Sequence, residues 1–135
     1  MAEQAIVALL VAAGTSAADR IDPLSLPRDP QFPAITYQRI STPRDLAHNG
    51  DQGFAGFRVQ INCWAKRVEG SVAGYFQAKQ LAGEVRQALH GFRGTAAGID
   101  IGVIQISGDR DETDPQRTLE RVMVDASGNY QEPTA

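Results

Sequence analysis

The stretch 54–65 is the clearest strand in the chain: Phe57, Val59, Ile61 and Cys63 point one way, and Arg58, Gln60, Asn62 and Trp64 the other. Strict alternation of this kind describes a β-strand with one face in a core and one polar face. Such a strand needs partners for its backbone groups. Residues 34–41, Ala-Ile-Thr-Tyr-Gln-Arg-Ile-Ser, are β-branched and aromatic enough to supply one. Residues 98–107 and 117–126 read as two more strands, joined by the acidic turn Gly108–Pro115. Each strand pair follows without a crossover, so both pairs read as antiparallel hairpins.

Two segments carry a helical period instead. Residues 2–13 are Ala-rich without Pro or Gly, and Ile6, Leu9, Leu10 and Ala13 recur at three- and four-residue spacings. Residues 71–90 repeat the pattern through Ala78, Leu81, Ala82, Val85 and Leu89, with Ser71 placed as N-cap and Gly91 as the glycine beyond the C-cap. Gly74 and Gly83 each cost this helix about 1 kcal/mol relative to Ala, which close approach of a neighbouring backbone would explain. Residues 19–33 hold Pro23, Pro27, Pro30 and Pro33 and read as an irregular meander, anchored by Ile21, Leu24, Leu26 and Phe32. The order helix, strand, strand, helix, strand, strand predicts an α+β fold. Its expected form is a four-stranded, mostly antiparallel sheet with both helices on one face and an extended C-terminal arm from Ser127 to Ala135.

At 135 residues and 14.5 kDa the chain fits one domain, 1–135, and folding hides roughly two-thirds of the unfolded surface. Hydrophobic residues at 42% and charged residues at 21% exclude a disordered tail or a fibre. The net charge of −3 argues against a general nucleic-acid binder. Residues 101–135 hold seven acids against three bases. Eleven of the thirteen bases are Arg, which suits planar pairing across an interface and also follows from GC-rich coding. The single cysteine, Cys63, excludes an internal disulfide and reads as a small buried hydrophobe. No run reaches the roughly 18 apolar residues of a membrane span. Ala5–Ala13 lacks a positive flank, so it reads as an ordinary first helix of an intracellular product.

No pattern marks a catalytic set. His48 lies in the polar stretch 42–53, and His90 closes the second helix, where a cation suits the exposed carbonyls. Neither has a neighbouring nucleophile or carboxylate pattern. Asp109, Asp111, Glu112 and Asp114 crowd into six residues, but a calcium loop wants Gly where Asp114 stands, although Glu120 falls at its twelfth position. A solvated hairpin tip or a charged tongue against a partner fits better. Gly98–Gly102 is followed by no Lys-Ser/Thr and no helix, so it is not a phosphate loop. No metal, cofactor or enzymatic activity is expected.

Several short motifs occur in a particular order over nearly the whole chain. They are Arg20-Ile-Asp-Pro23, Phe32-Pro-Ala-Ile-Thr-Tyr37 with Ile40-Ser41, and Phe57-Arg-Val-Gln-Ile-Asn-Cys-Trp-Ala65. Ala82-Gly-Glu-Val-Arg-Gln-Ala-Leu89 and Gly108–Pro115 follow, leading into a last strand. In this order the chain resembles the tail completion, or tail terminator, proteins of long-tailed phages and phage-like particles. Asp22 stands where that family commonly has an aromatic, and the last strand ends Val-Asp-Ala-Ser rather than in an aromatic.

The resemblance implies structural work in a virion, made in a bacterial cytoplasm and placed at the head-proximal end of the tail. Family members form a ring, here expected to be a hexamer, that stops polymerisation of the major tail tube protein. The ring presents its other face to a head-closure or connector protein. Genome DNA passes through the lumen without sequence-specific binding, and six copies at −3 each would carry −18, in keeping with an unobstructed passage. No membrane is involved. The expected contacts lie in the two polar stretches, at Arg44, Asp45, His48 and Asp51 and at Asp109, Asp111, Glu112 and Asp114. The alternatives are another neck or tail component (head-tail adaptor, head-closure or tube protein) and, further off, a small ligand-binding module. Partner identity separates the first, and a polar-lined pocket in a stable monomer or dimer the second.

Overall fold

The alternating stretch forms a strand from Phe54 to Lys66, with Phe57, Val59, Ile61, Cys63 and Ala65 all buried. Around it the computed structural model, which describes residues 2–41, 54–68, 70–114 and 119–131, sets two helices and seven strands. In chain order these are α1 (Ala2–Ala13), β1 (Ile21–Pro23), β2 (Ala34–Ser41), β3 (Phe54–Lys66) and α2 (Ala73–Leu89). They continue with β4 (Gly94–Ala96), β5 (Ile99–Ile101), β6 (Gln105–Asp114) and β7 (Leu119–Gln131).

The sheet runs β1-β2-β3-β7-β5-β4, with β6 pairing β7 beside β5. The fold is α+β as predicted, but the sheet has seven strands rather than four and is mixed, because β1 runs parallel to β2. The proline-rich segment yields β1 because an outermost strand can carry Pro23 without losing a ladder bond. Arg20 holds the approach to β1, donating from Nε to the Pro33 carbonyl and from Nη2 to the Ser16 carbonyl, both at 2.9 Å.

The second half of the sheet departs further from expectation. Residues 94–101 make the small hairpin β4–β5, and the acidic stretch is no turn but the body of β6. The expected C-terminal arm begins as strand, since β7 continues to Gln131. β7 pairs β3 antiparallel over its whole length, from Lys66↔Leu119 to Phe54↔Gln131. Its other edge takes β6 from Leu119 to Ser127 and then β5 at Tyr130. Burial of Val122, Val124, Ala126 and Tyr130 stabilises this central position.

α2 lies on β3 and β7 through Ala78, Leu81, Ala82, Val85 and Leu89, the stripe its spacing predicts. α1 packs beside α2 and over β4 and β5, burying Ala5, Ile6 and Leu10, while Ala13 stays exposed. The N-cap of α2 is Val72 rather than Ser71, although the Ser71 hydroxyl accepts the Ala73 N–H at 3.1 Å. Gly74 is there for space, because a Cβ would run into the Lys66 carbonyl oxygen. Gly83 has open space around it instead. Gly91 follows the helix at φ +81°, its N–H donating to the Ile104 carbonyl at 2.8 Å.

Candidate assembly surface

β6 alternates its carboxylates across the two faces of the sheet. Asp109 and Asp111 point to the helix side and Arg110 and Glu112 to the other, as their pairing with Val124, Val122, Met123 and Arg121 requires. On the helix side, Asp109 meets Arg86 at 2.6 Å and Asp111 meets Lys79 at 2.8 Å. Asp111 also accepts a hydrogen bond from the Tyr75 hydroxyl at 2.8 Å, and the Lys79 ammonium lies 5.6 Å from the centre of the Tyr75 ring. Tyr75, Lys79 and Arg86 stand four and seven residues apart, so they share one side of α2.

Hydrogen bonds from Lys79 and then Tyr75 hold the Asp111 carboxyl below its ordinary value. The bond to Asp111 in turn raises both the Tyr75 hydroxyl and the Lys79 ammonium. All three groups are solvent-accessible, so the cluster orients β6 against α2 more than it stabilises the fold.

The opposite face carries a lateral ladder over four strands. The Trp64 indole donates to the Thr36 hydroxyl at 2.9 Å, the Arg121 guanidinium stacks 5.1 Å from the Trp64 ring, and Arg121 pairs with Glu112 at 2.6 Å. Gln60, Asn62 and Met123 continue this face, with Gln60 donating to the Met123 sulfur at 3.3 Å. Neither helix packs here, because both lie over the apolar side.

Of the residues picked out from sequence, Asp109, Asp111 and Glu112 come together with cations of their own chain on a strand. Asp114 ends that strand, while Arg44, Asp45, His48 and Asp51 fall outside the described residues. Sequence reasoning missed the partners Tyr75, Lys79, Arg86 and Arg121, although the one-sided helical spacing of the first three was a usable signal. His90 stands at the C-cap of α2, where its backbone N–H donates to the Arg86 carbonyl and its Nδ1 accepts the Ile106 N–H at 3.2 Å. Cys63 is buried as expected, and burial pushes its thiol up to about 12. Among the described residues no three His, Cys, Asp or Glu gather closely enough to hold a metal, and no helix is long and apolar enough to cross a membrane.

The fold has a counterpart of known setting. A chain in a solved structure described as the virion of a native gene transfer agent particle superposes with a TM-score of 0.61 at 15% identity, covering 97% of both chains. No curated protein matches the sequence. The family description "Tail completion protein gp17" matches residues 4–128, which takes in every element but the first two residues of α1 and the end of β7. The chain therefore belongs to the phage tail completion family and is a structural component of the tail of a phage or phage-like particle.

Proposed function

We propose that six copies of this chain form a ring on the head-proximal end of the tail tube, ending tube polymerisation and joining tail to head. The family match over residues 4–128 carries this reading. A surface built of side-chain pairs, with polar groups on the uncovered sheet face, suits a part that works by contact rather than by catalysis. The ring needs two unlike faces, one that accepts the tube protein and one that offers a seat to the head-closure or connector protein. The stretch 42–53, with Arg44, Asp45, His48 and Asp51, and the acidic strand β6 supply those contacts.

Deleting the gene in the particle-producing strain and imaging by negative-stain electron microscopy tests the reading. Headless tails of uncontrolled length beside filled, tailless heads are expected. Tails of normal length that fail to attach would make the protein an adaptor instead. Normal particles would end the assembly reading.

A further inference from the structure

We draw no further inference here: the strongest candidate, the exposed apolar patch of Val68, Val72 and Phe76 at the start of α2, carries nothing because nothing in the structure shows what covers it.

Discussion

Asp111 is held by two donors from one side of a helix, the Lys79 ammonium and the Tyr75 hydroxyl, each at 2.8 Å. Its lowered carboxyl contributes stability above the unfolded value of 3.8, and that contribution is lost as pH falls through the folded value. Tyr75 and Lys79 are raised, so their contributions hold below their ordinary values and are lost as pH rises through the folded ones. Carbon-13 NMR of labelled tyrosine should therefore show Tyr75 titrating above 10.0, and Asp111→Asn should bring it back. An identical midpoint in both proteins would mean that the bond does not form in solution. Gly128 offers a steric counterpart to this polar site. A Cβ there would stand 2.9 Å from the Phe57 ring and from the Val103 carbonyl, so Gly128→Ala should cost about 1–3 kcal/mol in a urea titration.

Legibility differs from element to element because the determinants lie at different distances along the chain. β3 and α2 declare themselves, since their periods are internal and each residue's burial follows from its neighbours' spacing. β6 does not. Asp109, Asp111, Glu112 and Asp114 have low β-propensity and read as a turn. What makes this stretch strand is its pairing with β7, to which Asp109 and Asp111 add cations on α2 and Glu112 a cation on β7, none of it local. β1 was hidden for a similar reason, its single partner strand lying beyond the four prolines. The candidate site was half legible: the acids were visible, their partners were not. Surface ion pairs contribute about 0–1 kcal/mol each. Replacing Asp111, Glu112 and Asp114 together by Ser should therefore keep a single cooperative melt while lowering stability by about 2 kcal/mol or less. Loss of the melt would show that the pairs, rather than the ladder to β7, keep β6 in the sheet.

Across the whole molecule, most of the sheet depends on one late element. β7 completes β3 on one side and receives β6 and β5 on the other, and α2 rests on it. A chain stopped before Leu119 should consequently show no cooperative transition by circular dichroism, whereas full-length protein melts in one step. A sharp transition in the shortened chain would place the stability elsewhere.

The β3–β7 pairing also sets an order of events in the cell. Its partners are 53 residues apart at Lys66 and Leu119 and 77 apart at Phe54 and Gln131. During synthesis β3 therefore emerges long before its second neighbour, with one backbone edge bare and its apolar side uncovered. Loop-closure entropy over such separations makes this step slow relative to helix formation. Until it is complete, α2 has no firm seat. A nascent chain on a crowded polysome thus has sticky strand edges to shield but no finished outer surface to offer its neighbours, and subunit joining is deferred until translation has passed β7.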